Sequence, residues 1–230
     1  MFSRSLPLFT KQGMDKLASA TVLVFGCGGV GSFAIEALTR SGVGTLIIVD
    51  KDKVEANNMN RQLPALHSTI GKLKVDVMKA RMQDINPQLN IITYPIFYTF
   101  DTKDLIWENH QIDFILDAID TVTYKIDIIK EAKKRNIKFL TVVGQGNRMH
   151  PEKIVIKELK DTINDPLAKA IRIKLRKERL LNNTPCVASE EIPKKFEGQR
   201  RPYSNAFVPA TAGLVAASYI VRSIIKEDIS

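Results

Sequence analysis

A glycine-rich turn followed by an acid is the strongest chemical signal in this sequence. The run Gly26-Cys27-Gly28-Gly29-Val30-Gly31 follows an apolar segment and leads into a helical pattern, and a second apolar run ends on Asp50. In such a strand–turn–helix–strand unit, Gly26 permits the tight turn, Gly28 lets a phosphate approach the backbone, and Gly31 lets the helix pack against the strand. The helix N-terminus attracts anions, and an acid at the tip of the second strand can accept ribose hydroxyls. The pattern therefore predicts a nucleotide-binding unit formed by Gly26, Gly28, Gly29, Gly31 and Asp50.

Two cations and a second carboxylate extend this predicted site toward triphosphate chemistry. Arg61 and Lys74 lie in the segment after Asp50, and Asp120 follows a later apolar run. Arginine and lysine neutralise phosphate charge and a carboxylate can hold Mg²⁺, so these residues predict a site for ATP with Asp120 as the metal ligand. The pattern G-x-x-x-x-G-K-[ST], with which P-loop enzymes bind phosphates, is absent from the sequence. Attack at the α-phosphate is therefore favoured over attack at the γ-phosphate.

Short apolar runs alternate with helical patterns through the first 150 residues, and this alternation indicates the fold class. It predicts an α/β fold with a Rossmann-like, doubly wound and mostly parallel sheet. Because such sheets bind ligands beyond the carboxyl ends of their strands, we expect Asp50, Asp117, Asp120 and Gly144 at the binding end of the sheet. The predicted strands are 22–25, 46–49, 90–97, 114–116 and 138–143; the predicted helices are a short one within 1–20, one after the glycine turn, and 70–85, 102–109 and 121–135.

The last third of the chain is more basic and less regular. We predict a strand at 153–159, a helix that begins at Asp165-Pro166, a polar loop at 182–205 and a closing helix at about 209–226. No linker separates these elements from the preceding ones. We therefore expect a single domain over 1–230, with a nucleotide-binding core at 1–150 and a basic, substrate-facing helical and loop extension at 151–230.

Charge and cysteine content limit the classes of partner and compartment. The sequence has 34 Lys and Arg against 25 Asp and Glu, a formal net charge of +9, which favours an anionic partner such as a nucleic acid or a nucleotide. Only Cys27 and Cys186 are present, which excludes a disulfide framework and indicates a reducing cytoplasmic environment. The longest apolar stretch, 206–225, is interrupted by a proline and polar residues, so we expect a core helix and no stable membrane insertion.

The combination of motifs resembles the adenylating domain of ubiquitin-activating-like enzymes, a family that includes bacterial activators of the molybdopterin and thiamine sulfur carriers. The resemblance covers about residues 2–145. It is carried by the glycine turn, by Asp50, and by the runs Asn58-Met59-Asn60-Arg61-Gln62, Gly71-Lys72-Leu73-Lys74 and Asp117-Ala118-Ile119-Asp120.

This resemblance implies a role for several residues. Asp50 would bind the ribose of ATP, Asn58, Arg61 and Lys74 would contact its phosphates, and Asp120 would hold Mg²⁺. Arg4 matches an arginine that reaches into the partner subunit's site in this family, which implies a homodimer. The family often carries another arginine three residues before it, where this chain begins with Met1.

Features outside the nucleotide motifs select a branch of the family. The sequence lacks the two C-x-x-C pairs that commonly bind structural zinc in sulfur-carrier activators, and it has no room for the catalytic-cysteine domain of the larger ubiquitin activators. The segments 161–179, 186–191 and 206–221 resemble tRNA threonylcarbamoyladenosine dehydratases, and this similarity spans nearly the whole chain. It implies ATP-dependent adenylation of the threonyl carboxylate of the modified adenosine, followed by ring closure. The implied partner is an ANN-decoding tRNA, contacted in its anticodon region.

Several alternatives remain open at this point. The chain could adenylate the C-terminal glycine of a ubiquitin-like sulfur-carrier protein, it could associate with a sulfurtransferase, or it could be an inactive nucleotide-binding scaffold. An NAD(P)-dependent oxidoreductase is disfavoured because hydride transfer would give Arg61, Lys74 and Asp120 no function. Asp117 could contact a ligand or merely cap an element, and Cys186, on the predicted polar loop, could accept sulfur. The basic segments 169–179 and 194–201 could bind RNA or simply face solvent.

Overall fold

A single seven-stranded sheet organises the protein. The computed structural model describes residues 1–198 and 202–226. The strands lie side by side in the order β3-β2-β1-β4-β5-β7-β6, and all adjacent pairs are parallel except the antiparallel pair of β6 and β7. The expected doubly wound, mostly parallel α/β sheet is confirmed. The strands are β1 Thr21–Phe25, β2 Thr45–Val49, β3 Asn90–Tyr94, β4 Phe114–Asp117, β5 Lys138–Val142, β6 Ile154–Glu158 and β7 Pro185–Ser189.

Helices cover both faces of this sheet. Alternate residues of a strand point to opposite faces, so Val22 and Val24 of β1 pack on one side while Leu23 and Phe25 pack on the other. Helices α1, α2, α3 and α7 cover the first face, and α4, α5 and α6 cover the second. Among the described residues the helices are α1 Leu6–Ser19, α2 Gly31–Ser41, α3 Lys74–Ile85, α4 Asp104–Trp107, α5 Val122–Lys134, α6 Pro166–Lys177 and α7 Phe207–Ile225.

The segment 182–205 differs from its prediction as a continuous polar loop. Residues Pro185–Ser189 form β7, which lies between β5 and β6 in the sheet. Cys186 is therefore fully buried and pairs with Thr141 of β5, so its predicted position on a polar loop is wrong. This strand pairs with β5 and β6, which are distant in sequence. Its burial follows from these two neighbouring strands rather than from a long apolar run.

Two helix ends show how local sequence sets the element boundaries. Gly42 follows α2 with φ of 91°, a left-handed conformation that favours glycine, and its N–H contacts the last carbonyls of the helix. Asp165 begins α6 as predicted, because its Oδ1 accepts a hydrogen bond of 2.9 Å from the N–H of Ala168.

Helix α7 closes the first face of the sheet. It is the one helix of the described residues that is long and apolar enough to cross a membrane. Its buried side packs against α1 and α2, and Gly213 allows a close approach because a Cβ there would lie 2.3 Å from the carbonyl oxygen of Val30. These contacts are those of a core helix, as expected from the interrupted apolar run.

Candidate active site

The glycine turn lies at the carboxyl end of the sheet and leaves an open space beside its backbone. Gly26 has φ of 96°, and its N–H donates to the carbonyl oxygen of Val49 at 2.8 Å. A Cβ on Gly31 would lie 1.8 Å from the carbonyl oxygen of Gly26, so only glycine permits this packing. A Cβ on Gly28, in contrast, would meet nothing nearer than Gln62 Nε2 at 4.0 Å. The space beside Gly28 fits a phosphate at the start of α2.

Asp50 is held next to this turn by two backbone donors. Its Oδ2 accepts a hydrogen bond of 2.6 Å from the N–H of Cys27, and its Oδ1 accepts one of 2.8 Å from the N–H of Asp52. Partial burial raises the pKa of Asp50 above its ordinary value, while the two donors and the nearby charge of Lys74 act in the opposite direction. Each carboxylate oxygen keeps a second acceptor position, so the group can still receive a ribose hydroxyl.

Lys74 points its ammonium group toward the same region. It lies at the first residue of α3 and is only 5% exposed. Its Nζ is 3.2 Å from Asp52 Oδ2, and Asp52 Oδ1 contacts Lys51 Nζ at 2.8 Å. Burial alone would raise the pKa of Asp52, but these two lysines lower it below its ordinary value. Asp52 thus holds both ammonium groups beside Asp50, where they can meet an incoming polyphosphate.

Asn58 and Arg61 come from the 3₁₀ turn and loop after β2. Asn58 is buried, and its Oδ1 accepts from the N–H of Glu55 at 3.2 Å, which fixes the turn. Arg61 Nη1 donates to the carbonyl oxygen of Asn57 and to Asn60 Oδ1, both at 2.8 Å. The Arg61 stem packs on the glycine turn, because a Cβ on Gly29 would lie 3.3 Å from its Cγ. The structure therefore brings Arg61 to the turn.

Gln62, the next residue, carries an unpaired acceptor. Its Oε1 is buried and has no hydrogen-bond partner among the described residues. Its Nε2 is the atom nearest to the open position at Gly28. Since a buried unpaired oxygen costs free energy, this side chain fits a site that is completed by a ligand.

Asp120 lies on the exposed loop between β4 and α5. Neighbouring Ala118 ties this loop to the glycine turn, because its N–H donates to the carbonyl oxygen of Phe25 at 2.9 Å. Asp120 makes no ion pair or hydrogen bond with any described residue. The hydrogen bond that Lys51 donates to Asp52, together with the charges of Asp52, Asp50 and Asp120, raises the pKa of Lys51. A free carboxylate fits Mg²⁺, which is commonly held by one or two carboxylates together with phosphates and water.

Arg4 lies away from the other predicted site residues. Phe2, two residues before Arg4, packs against Gly42, which stands at the amino end of the sheet just before β2. The glycine turn is at the carboxyl end, and a five-residue strand spans roughly 16 Å. The structure thus brings Gly26, Gly28, Gly29, Gly31, Asp50, Asn58, Arg61, Lys74 and Asp120 to one end of the sheet but leaves exposed Arg4 at the other.

Asp117 is a structural residue rather than a free ligand. Its Oδ2 lies 2.9 Å from Lys125 Nζ and accepts from Thr141 Oγ1 at 2.6 Å, and both charged side chains are fully buried. Its Oδ1 accepts from the N–H of Ile119 at 3.3 Å. Sequence reasoning missed Lys125, although its signal was present: a lysine stands on the apolar face of α5, next to Ile126.

Both cysteines are unsuited to thiol chemistry. Burial raises the pKa of the Cys186 thiol to about 12 and raises the pKa of Cys27 well above its ordinary value. A thiol that stays protonated at neutral pH is a poor nucleophile. The burial of Cys186 therefore argues against its use as a sulfur acceptor.

Not every cation of the basic segment 169–179 lies on an exposed face of α6. Arg172 is half-buried and its Nη1 donates to the carbonyl and hydroxyl oxygens of Thr162. Arg179 lies beyond the helix end with φ of 59°, so it does not share a helical face with Arg176. The exposed cations that remain on α6 are Lys169, Lys174, Arg176 and Lys177. In the loop, Lys194 and Lys195 are exposed, while Arg200 and Arg201 lie outside the described residues.

A buried arginine organises the loops next to β5 and β7. Arg148 Nε donates to the carbonyl oxygen of Glu191 at 3.1 Å, Nη1 donates to that of Gly144, and Nη2 lies 3.5 Å from Asp165 Oδ2. Burial lowers the pKa of Arg148, against the raising effect of the Asp165 and Glu191 charges. This residue, which the sequence analysis did not single out, holds the glycine-containing loop after β5 against the start of α6.

Comparison with known proteins places the chain among proteins of similar length. The model of the ThiF family matches residues 2–229. The tRNA threonylcarbamoyladenosine dehydratase of Bacillus subtilis (strain 168) is 41% identical over 242 residues, which cover 98% of this chain and 95% of that protein. The dehydratase of Haemophilus influenzae is 39% identical, with 96% of this chain and 91% of that protein covered.

A solved structure is similar over nearly the same extent. The E. coli tRNA N6-threonylcarbamoyladenosine dehydratase, TcdA, in complex with ATP superposes with a TM-score of 0.91 at 31% identity. The superposition covers 98% of this chain and 93% of that chain. The similarity thus includes the last third of the chain as well as the nucleotide motifs.

Proposed function

The chain belongs to the ThiF family, and we propose that it is an ATP-dependent tRNA threonylcarbamoyladenosine dehydratase. The single observation that supports this function most strongly is that its similarity to dehydratases extends over 98% of the chain. A similarity based on nucleotide binding alone would be confined to the glycine turn and the adjacent strands. Here it includes α6, β7 and α7, which contain no nucleotide motif.

The reaction consists of two displacements. The threonyl carboxylate of N6-threonylcarbamoyladenosine attacks the α-phosphorus of ATP, and pyrophosphate leaves. The carbamoyl group then attacks the resulting acyl-adenylate within the same nucleoside, AMP leaves, and a ring closes with the net loss of one water. No protein nucleophile is required, which agrees with the burial of both thiols.

The residues at the carboxyl end of the sheet supply binding and charge stabilisation. Asp50 receives the ribose hydroxyls, and the open space at Gly28 accepts phosphate. Lys74, Arg61 and Asn58 contact the phosphates, where the two cations stabilise charge that develops as pyrophosphate leaves. Asp120 would hold Mg²⁺, which would supply positive charge to neutralise the phosphates.

A homodimer would complete the site. Arg4 is too far from the glycine turn of its own chain to contact ATP there, as its position at the amino end of the sheet indicates. We propose that it reaches the phosphates bound by a second copy. The active unit would then be a dimer with two composite sites.

The tRNA would be contacted in its anticodon region by the extension at 151–230, within one adenylating domain that includes the core at 1–150. ANN-decoding tRNAs are the proposed substrates, and the cytoplasm is the proposed compartment. The alternative partner is a sulfurtransferase or a ubiquitin-like carrier protein, and pyrophosphate release with a carrier protein tests that alternative.

The decisive test measures both products of the reaction. Purified protein is incubated with ATP and tRNA that contains N6-threonylcarbamoyladenosine; pyrophosphate release is followed, and the digested nucleosides are weighed by mass spectrometry. The expected result is pyrophosphate release together with a nucleoside that has lost one water. The same assay with a ubiquitin-like carrier protein should give no pyrophosphate. Release with the carrier alone would show that the chain is a carrier activator instead.

A further inference from the structure

Three aromatic side chains form an exposed cluster beside the candidate active site. Phe97 is 42% exposed and Phe100 is 56% exposed. Their ring centroids lie 5.1 Å and 5.6 Å from that of Tyr124, so the tyrosine stands between the two phenylalanines. We call Phe97, Phe100 and Tyr124 the aromatic cluster. Contiguous exposed apolar side chains can mark a ligand-binding or interaction surface.

The cluster is adjacent to Asp120 and to Lys51. Phe97 and Phe100 follow β3 at the carboxyl end of the sheet, and Tyr124 lies in the first turn of α5, four residues after Asp120. The Lys51 ammonium lies 5.4 Å from the centroid of the Phe97 ring. The cluster therefore borders the residues that are proposed to bind ATP and Mg²⁺.

The polypeptide presents these rings on a fixed support. Between them in sequence, Tyr98 is buried, and its hydroxyl donates to Asp127 Oδ2 at 2.8 Å and accepts from Trp107 Nε1 at 2.8 Å. Thr102 Oγ1 donates to the carbonyl oxygen of Phe97 at 2.8 Å, which closes the turn. Because the buried tyrosine anchors the turn, the outward rings on either side are held in place before any ligand binds.

Beyond Phe100, the surface leads to the basic helix α6. A cleft of about 160 Å³ is lined by Phe100 together with Lys130, Lys174 and Glu178. Lys130 is paired with Glu178 at 2.5 Å, whereas Lys174 is exposed and makes no ion pair among the described residues. A cation thus stands at each end of the aromatic cluster: Lys51, which is paired with Asp52, near the active site, and Lys174, unpaired among the described residues, on α6.

We propose that the aromatic cluster stacks on unpaired bases next to the modified adenosine of the tRNA, with Lys174 and Lys51 near the flanking phosphates. This inference rests on the proposed function, which requires a tRNA loop to place one nucleoside at Asp120. Unpaired RNA bases stack on exposed aromatic rings, and the backbone is held by cations alongside them. The alternation of cation, aromatic rings and cation matches that chemistry.

The test substitutes the two exposed phenylalanines without removing their apolar volume. Phe97→Leu and Phe100→Leu are compared with wild type for binding of a tRNA anticodon stem–loop that contains the modified adenosine. Loss of one stacked base should weaken binding about tenfold or more. The KM for the stem–loop should rise while kcat changes little, and AMP affinity should be unchanged. Phe100→Trp should restore binding because the aromatic face is restored.

Salt dependence separates stacking from charge. Phe100→Leu should leave the slope of log K against log salt unchanged, whereas Lys174→Gln should reduce its magnitude by about 0.7 for the lost contact. Leu105→Ala, at an exposed apolar residue of the neighbouring helix α4, is the matched control and should bind RNA like wild type.

Each outcome is decisive for the proposal. Unchanged stem–loop affinity in both leucine variants would overturn it, and so would weaker AMP binding with unchanged RNA binding, which would assign the rings to adenine. Failure of the proposed function is visible separately, as absence of pyrophosphate release from the wild-type protein with the modified tRNA. Wild-type protein that does not bind the stem–loop at all would overturn both.

Discussion

The ammonium group of Lys125 lies 2.9 Å from Asp117 Oδ2 in the fully buried interior of the protein. Asp117 also accepts hydrogen bonds from Thr141 and from the N–H of Ile119, which belongs to the loop that carries Asp120. The ion pair therefore lies directly beneath this loop. A buried ion pair offers little net stability over apolar residues, but it fixes geometry. Here it orients the loop between β4 and α5.

Removal of one member of this pair should destabilise the fold strongly. Lys125→Met leaves the Asp117 carboxylate buried without its cationic partner, which should lower the free energy of unfolding by about 3–5 kcal/mol. Denaturant titration measures this loss. The control is Lys130→Met, which breaks the more exposed pair with Glu178 and should cost about 0–1 kcal/mol. Equal losses in the two variants would contradict the role assigned to Lys125.

Two substitutions test the phosphate site. Asp120→Ala should abolish ATP-dependent turnover because Mg²⁺ loses its protein ligand, and Arg61→Ala should reduce the rate by about 10²–10³. Both variants should keep the wild-type melting temperature, since neither side chain belongs to the core. Arg81→Ala, which removes an exposed pair with Glu36, serves as the control with normal turnover. Wild-type turnover in either site variant would show that the phosphate site is assigned wrongly.

The position of Arg4 can be tested by mixing two inactive proteins. If Arg4 acts in the neighbouring subunit, an Arg4→Ala chain and an Asp120→Ala chain form hybrid dimers with one intact site. Random, equal mixing gives half hybrid dimers, so activity should recover to roughly a quarter of wild type. Subunit exchange is verified with labelled chains. Absence of recovery after exchange would mean that Arg4 does not complete a partner's site.

The exposed cations of α6 should contribute to RNA binding in proportion to their number. Replacement of Arg176 and Lys177 by Ala should weaken tRNA binding and flatten the salt slope by about one unit for each lost phosphate contact. ATP binding should be unchanged because the glycine turn is untouched. Arg172→Ala provides a contrast: it should lower stability, since this side chain bonds to Thr162. An unchanged salt slope in the double variant would exclude α6 from the RNA surface.

The buried thiols predict a dependence of stability on alkaline pH. Burial raises the pKa of Cys186 to about 12 in the folded state, above an unfolded value of about 8.5. The folded protein holds this proton more tightly, so the associated stability is fully present below about pH 8.5 and is lost as the pH rises toward 12. Unfolding measured across this range should show a decline that is smaller in Cys186→Ala. Rapid alkylation of the native thiol at neutral pH would contradict the assignment.

The features that were predicted best from sequence are those determined by neighbouring residues. The glycine turn, Asp50 and the Asp165 cap each depend on neighbouring residues, and the family resemblance carried by these motifs is confirmed by the match over residues 2–229. The predicted start of the helix at Asp165 is confirmed, and the helix ends at Lys177. Arg179 adopts a left-handed conformation that no periodic pattern reveals.

Features that depend on distant contacts escaped prediction. The strand at Pro185–Ser189 is short, and its burial comes from β5 and β6, which lie far away in sequence. Sequence alone did not show the role of Lys125, because its partner, Asp117, is on another element. The aromatic cluster likewise joins residues of the segment after β3 with a residue of helix α5, which only the fold brings together.

The order of the last two strands has a consequence for synthesis of the chain. β6 leaves the ribosome before β7, yet β7 lies between β6 and β5 in the sheet. The exposed edge of β5 therefore stays unpaired until residue 189 has emerged, and an unpaired edge invites association with other chains. A nascent chain that ended near residue 150 would carry all the nucleotide motifs but would lack the strand that covers this edge. The nucleotide-binding part of the chain is thus protected from aggregation at this edge only after β7 has been synthesised.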